Sequence, residues 1–119
     1  LSAASVTRNL VDCLEAGSQV ANITSQIGSM VVGANFNDLP YATSKAVMNM
    51  VTVQLASQLK DAGISVVAFH PGWVRTDMGG SGADLSVEES AQGILATMQT
   101  FEHADSGSFL RWDGSVHPW

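Results

Sequence analysis

A single cysteine, Cys13, stands in the whole chain of 119 residues, so no internal disulfide can close and no multi-cysteine zinc cluster can form. That usage fits a reducing compartment, and the expected location is the cytoplasm. Charge is scarce too. Only 13% of residues are Asp, Glu, Lys or Arg, and 5 Lys+Arg face 11 Asp+Glu for a formal net charge of -6. Five scattered cations give no basic stripe to neutralise phosphates, so no nucleic-acid partner is expected. Long hydrophobic runs are missing as well: Val66-Val67-Ala68-Phe69 is strand-sized, far below the roughly 20 residues of a membrane span. No membrane partner is expected. The chain opens at Leu1 with no initiator Met, no basic segment and no extended apolar core, so it does not read as a signal peptide and need not be a natural start. What is plentiful is apolar material, at 45%, enough for the core of one domain or part of one.

Val6, Leu10 and Leu14 recur at steps of four with Val11 beside them, predicting an amphipathic helix over residues 2–16 that Gly17 stops. Residues 19–24 read as a strand that ends in the polar turn Ser25 to Gly28. From Asp38 or Pro40 to about Ala62 the helical period returns, with Val47, Val51, Leu55 and Leu59 as its stripe and Gly63 as its stop. Residues 64–69 are apolar apart from Ser65, as in a strand buried on both faces of a parallel sheet, and Pro71-Gly72 ends them. Ser86-Val87-Glu88-Glu89 has capping-box spacing, opening a helix with Ile94, Leu95 and Met98 on its apolar face. A last strand over residues 108–112 meets a turn at Asp113-Gly114. This alternation predicts an α/β fold with a parallel sheet between helices, amounting to half of a six-stranded doubly wound sheet. No glycine-rich turn of the kind that holds a dinucleotide pyrophosphate follows any of these strands, and Gly79-Gly80-Ser81-Gly82 is the sole glycine cluster.

Tyr41 and Lys45 sit one turn apart on one face of the predicted helix. A phenol is a poor acid/base at neutral pH unless a cation stabilises its phenolate. An ammonium at about 4 Å and an effective dielectric of about 20 attracts it by some 4 kcal/mol. Ser25 lies at the carboxyl end of a strand, where ligands bind in open α/β sheets, and residues 71–76 leave the next strand at the same rim. A serine that polarises a carbonyl, a tyrosine that protonates it and a lysine that tunes the tyrosine would make a coherent set.

Asn22-Ile23-Thr24-Ser25-Gln26-Ile27-Gly28, Tyr41-Ala42-Thr43-Ser44-Lys45 and His70-Pro71-Gly72-Trp73-Val74-Arg75-Thr76-Asp77-Met78-Gly79-Gly80 together resemble the short-chain dehydrogenase/reductase family. The last of these stretches and the ending Gly114 to Trp119 are similar, more narrowly, to the branch of sniffer-type carbonyl reductases and the C-factor signalling protein. The similarity runs along the whole chain and covers the carboxyl-terminal half of the family fold, so residues 1–119 are expected to be a partial domain. The resemblance implies an NAD(P)-dependent oxidoreductase that moves hydride between cofactor and a small carbonyl or alcohol, NADP being slightly favoured over NAD. It implies that Ser25 orients the carbonyl, Tyr41 is the acid/base, and Lys45 tunes Tyr41 and holds the nicotinamide ribose. Val74 and Thr76 match positions that meet the nicotinamide carboxamide, Pro71 and Gly72 shape the loop beneath, and Asn22 and Ile23 sit on the strand that faces the cofactor. In this resemblance the glycine-rich cofactor loop, the residue that chooses NAD or NADP and an active-site asparagine all precede Leu1, so the isolated chain is expected to bind dinucleotide weakly or not at all. The alternative is a non-catalytic family member or a C-factor-like signalling protein. The first two long helices resemble those that pair into homodimers in many members.

The remaining candidates read more plainly. His70 is expected to be a hydrogen-bonded core histidine, and His103 and His117 have no metal-ligand spacing. Cys13 is expected to pack as a small apolar group. Trp73 either lines the substrate pocket or plugs its loop. Met48, Met50, Met78 and Met98 suit core or pocket lining, and Trp112 and Trp119 are expected to anchor the carboxyl end by burial.

Overall fold

In the computed structural model, which describes residues 2–119, three helices and three strands alternate: α1 Ser2–Leu10, β1 Gln19–Ile23, α2 Leu39–Leu59, β2 Ser65–His70, α3 Val87–Thr100 and β3 Phe109–Arg111. The strands form one parallel sheet in the order β1-β2-β3, an α/β architecture as expected. Every residue of the central strand β2 is buried, the outcome of its nearly unbroken apolar run.

Neighbouring residues of a strand face opposite sides of the sheet. On one side Val67 and Phe69 join Leu110 in a core closed by Ile94 and Met98 of α3 and by Phe101. The other side belongs to α2. Asn22, in register with Ala68, donates to Thr52 Oγ1 at 3.0 Å, and that hydroxyl donates to Met48 O at 3.0 Å. The buried line of α2 is therefore Asn49, Thr52 and Ala56. The step-of-four stripe located the helix but not its inner face: Val51, Leu55 and Leu59 are half-buried along its flank, and Val47, with Met50 and Val53, is exposed. Small and hydrogen-bonded side chains replace that stripe because α2 lies close against β2 and the turn that follows β1.

α1 is shorter than its periodicity suggests. It ends at Leu10, passes through one 3₁₀ turn at Val11–Cys13, and Leu14 is already extended. Asn, Val, Asp and Cys are all weak helix formers, and the next turn is held elsewhere, with Gly17 N donating to Gly63 O at 2.9 Å and Glu15 N to Ser18 Oγ at 3.0 Å. Val6 and Leu10 are exposed and Thr7 is buried. Leu1 lies outside the described residues.

Two of the plainer expectations are also corrected. Cys13 is exposed rather than packed, since the chain leaves the helix just before it. Met50 is exposed, whereas Met98 packs on the core and Met78, though exposed, lines a pocket at the rim of the sheet. At the carboxyl end Trp112 is half-buried and Trp119 is exposed, although it lies over Phe109 with ring centres 5.2 Å apart. The buried anchor there is His117, whose N–H donates to Phe109 O at 2.8 Å.

Candidate functional site

Three chain segments meet at the carboxyl ends of the strands. The first leaves β1. Thr24 N extends the ladder to Phe69 O at 2.8 Å, and Ser25, in extended backbone, caps a single 3₁₀ turn at Gln26–Gly28 by accepting from Ile27 N at 3.3 Å. The Ser25 O–H is left free to donate. This turn lies hard against α2: Thr24 Oγ1 donates to Lys45 O at 3.3 Å, Asn49 Nδ2 donates to Gly28 O at 3.1 Å, and a Cβ on Gly28 would fall 2.6 Å from the Lys45 carbonyl carbon.

The second segment opens α2. Asp38 caps the helix by accepting from Tyr41 N at 3.1 Å, and proline stands in the first turn, so Tyr41 projects from the rim end. Lys45 follows one turn on, its Nζ 5.5 Å from the centre of the Tyr41 ring, within cation–π reach. The third segment leaves β2 through Pro71 and Gly72, the glycine adopting φ +85. Residues 73–85 then brace themselves. Arg75 N donates to Leu85 O at 2.8 Å, Trp73 Nε1 donates to Gly79 O at 2.9 Å, and Gly79 N donates to Thr76 Oγ1 at 3.0 Å.

Between these segments lies a concavity of about 900 Å³. Of the sequence candidates, Ile23, Ser25, Tyr41, Pro71, Gly72, Trp73, Val74 and Thr76 line it. Lys45 is not among the lining residues, and its ammonium meets the ring of Tyr41. Asn22 is not brought to the pocket either: it is buried against α2, bonded to Thr52. Trp73 belongs to the wall; its ring is exposed and its N–H is bonded within its own loop, so it does not plug that loop by burial. Phe36, Leu95 and His70 line the pocket without having been assigned to it. Phe36 falls between periodic elements and left no signal. Ile94 and Leu95, both placed on the apolar face of the third helix, line the pocket together.

His70 is buried, as expected, but its Nδ1 has no partner. Its pKa is lowered to about 4, first by burial, then by His117 and Arg111. The ring is thus neutral in the fold at pH values where an unfolded histidine is charged. Stability should be full above about pH 6.5 and fall as pH drops toward 4, by on the order of 2 kcal/mol after allowing for solvent in the pocket. Urea melts at pH 7.5, 5.5 and 4.5 measure this, and His70→Phe should flatten the slope. Glu89 and Asp113, held low by Ser86 and Ser115, titrate below the upper part of that window. An unchanged slope in His70→Phe would refute the assignment.

No group of three or more metal-ligating side chains occurs among the described residues. The family model of the short chain dehydrogenases matches residues 1–84. The chain is 34% identical over 116 residues to C-signal of Myxococcus xanthus, covering 96% of this chain and 70% of that protein. Among solved structures it is similar to the carbonyl reductase Sniffer of Drosophila melanogaster, with a TM-score of 0.81 and 36% identity over 85% of this chain and 41% of that one. The NADPH-bound carbonyl reductase from chicken fatty liver follows, with a TM-score of 0.78 and 39% identity over 85% and 42% of the two chains. The chain thus spans less than half the length of both reductases. With the family model matched over residues 1–84 and similarity to these relatives along most of its length, the chain belongs to the short chain dehydrogenase family.

Proposed function

We propose that this chain forms the substrate side of an oxidoreductase that interconverts a carbonyl compound and its alcohol with NADPH or NADH. The observation that carries this reading is the placement of Ser25 and Tyr41 on the wall of one pocket, with the Lys45 ammonium 5.5 Å from the Tyr41 ring. The nicotinamide, when bound, supplies the hydride. Ser25 donates a hydrogen bond to the carbonyl oxygen and steadies it. Tyr41 gives that oxygen its proton as the alcohol forms and takes it back in the reverse direction. Lys45 attracts the phenolate left behind. NADP is the favoured form, since the chicken reductase is described as NADPH-bound. The proposed setting is the cytoplasm; no helix among the described residues is long and apolar enough to cross a membrane. The test is the complete protein incubated with NADPH and a panel of ketones and aldehydes: carbonyl-dependent loss of NADPH absorbance is expected, and its absence across the panel would overturn the reading.

The residues present fit the nicotinamide end of such a cofactor, because Pro71, Gly72, Val74 and Thr76 give the pocket an uncharged wall. They do not fit its pyrophosphate. The amino ends of α2 and α3 are already occupied by carboxylates, Asp38 on Tyr41 N and Glu89 on Ser86 N at 2.8 Å, where a phosphate would need free N–H groups. These residues alone should therefore bind NADPH and NADH more weakly than the low micromolar range. Calorimetric titration of the verified chain decides it, and low-micromolar binding would refute it. A second reading is a non-catalytic signalling protein, favoured by the 70% share of C-signal that the chain covers; a complete protein that binds no dinucleotide would select it.

The outer faces of α1 and α2 expose Val6, Leu10, Met50 and Val53, and β1 is an edge of the described sheet. Apolar helix faces and an unpaired strand edge both seek partners. The complete protein is proposed to form a homodimer through these helices, and this chain alone should self-associate. Light scattering coupled to size-exclusion chromatography would show dimers or larger species; a stable, cooperatively unfolding monomer would count against it.

A further inference from the structure

His117 packs beside His70, which lines the pocket. Their ring centres are 5.6 Å apart and their planes cross at 78°. His117 is 2% exposed and its Nδ1 lies 2.8 Å from Pro118 O. A carbonyl oxygen only accepts, so this nitrogen carries the proton, and in a neutral ring Nε2 is then a bare acceptor. That Nε2 is sealed from solvent with no partner, and so is Nδ1 of His70. Two orphaned nitrogens on neighbouring rings satisfy each other directly in one way: His70 carries its proton on Nδ1 and donates to His117 Nε2 after a small rotation. His70 is a wall residue of the pocket, and sealing Nδ1 inward leaves Nε2 as the nitrogen on the pocket side.

We propose that His117 fixes His70 as its Nδ1–H tautomer, so that His70 presents a bare Nε2 to the pocket and selects an uncharged ligand bearing an N–H or O–H donor. His70 is then a specificity-determining residue. The other polar groups of the wall support this. Ser90 Oγ is spent on Pro71 O at 2.6 Å, Trp73 Nε1 on Gly79 O, and Thr76 Oγ1 is held by Gly79 N. Ser25 and Tyr41 offer hydroxyls that can donate or accept, and among the lining side chains only Gln26 and His70 carry a nitrogen or oxygen acceptor that is not a hydroxyl. No Lys, Arg, Asp or Glu lines the pocket, so nothing there compensates a ligand carboxylate or phosphate. The lowered pKa of His70 keeps its ring neutral at pH 7. The matching donor could belong to a hydroxyl beside the reacting carbonyl or to the carboxamide of a nicotinamide. The inference rests on reading this pocket as a ligand site and is independent of the hydride chemistry.

Long-range ¹H–¹⁵N spectra of the labelled complete protein at pH 7.5 read the tautomers of His70, His103 and His117 without any turnover. His103 is an internal reference of the opposite kind, because its Nε2 donates to Lys60 O at 3.2 Å while its Nδ1 accepts from Ser65 Oγ at 3.0 Å. His70 and His117 are expected as Nδ1–H and His103 as Nε2–H. Titration then compares 2-hydroxyacetophenone with acetophenone, and nicotinamide with N,N-diethylnicotinamide. In at least one pair the donor-bearing member should bind about fivefold or more tightly and shift the His70 Nε2 signal, and the responding pair identifies the source of the donor. His117→Phe should leave His70 a mixture of tautomers and cut that preference below about twofold. An Nε2–H tautomer of His70 in the unaltered protein, or equal binding within both pairs, overturns the proposal, whereas an inactive protein with the expected tautomer overturns only the oxidoreductase reading.

Discussion

Tyr41→Phe in the complete protein should lower turnover of a carbonyl substrate by about 10²–10⁴-fold, the span typical of a lost general acid/base, while cofactor affinity changes little. The substitution deletes one hydroxyl from the pocket wall and leaves the ring, which is what meets the Lys45 ammonium at 5.5 Å. The backbone of this turn is held independently of the phenol, by Asp38 accepting from Tyr41 N and by Ser44 Oγ donating to Tyr41 O at 2.7 Å, so the fold should survive and the loss can be read as chemistry. Lys45→Met should behave differently. If Lys45 serves both the phenol and the ribose, turnover and cofactor affinity fall together; a loss in turnover alone would limit it to the phenol. Stopped-flow NADPH oxidation with calorimetric binding separates the two. Near-normal turnover in Tyr41→Phe would end the acid/base assignment.

The outline of the fold was legible because its signals are local. The capping box at Ser86 and Glu89 forms as its spacing predicts, each group bonded to the other's backbone N–H at 3.0 and 2.8 Å. The burial of β2 follows from its apolar run. What could not be read was which way an element faces when its inner surface is polar. In α2 the stripe of Val and Leu drew attention to the wrong line, because Asn49, Thr52 and Ala56 are buried through hydrogen bonds and close approach, which hydropathy does not register. The same limit hid His70. Its partner His117 lies 47 positions away and is brought beside it only by the carboxyl-terminal segment folding back on β3. Ser25, Tyr41 and the exit from β2 were found because all three sit at strand or helix ends on one rim, and rim positions follow from topology. That Lys45 is absent from the lining and Asn22 is turned to α2 are details of packing that spacing does not carry.

Gly28→Ala should cost about 1–3 kcal/mol, as overpacking of a tight contact does, and should also impair the site. The added Cβ would stand 2.6 Å from the Lys45 carbonyl carbon, 2.8 Å from Ala46 N and 2.8 Å from the Lys45 Cβ. Two of these are backbone atoms of α2 and cannot rotate away, so the turn at Gln26–Gly28 must lift. That turn carries the cap of Ser25 on Ile27 N and the bond from Asn49 Nδ2 to Gly28 O, so lifting it shifts the Ser25 hydroxyl relative to Tyr41. A displacement approaching 1 Å between a positioning group and the reacting centre can cost on the order of 10²-fold in rate. Gly82→Ala is the matched control, because a Cβ there meets nothing within 4 Å. Asn49→Leu tests the same clamp from the other side: it leaves the buried Gly28 O without its donor, at a cost of about 1–3 kcal/mol, with no added bulk at the turn. Thermal melts and turnover of the three variants in the complete protein decide the matter. The clamp predicts lower melting temperatures and lower kcat for Gly28→Ala and Asn49→Leu and neither change for Gly82→Ala. A Gly28→Ala protein with unaltered stability and kcat would mean that the turn does not depend on its close seat against α2, and that Ser25 is positioned by the ladder from Thr24 to Phe69 alone.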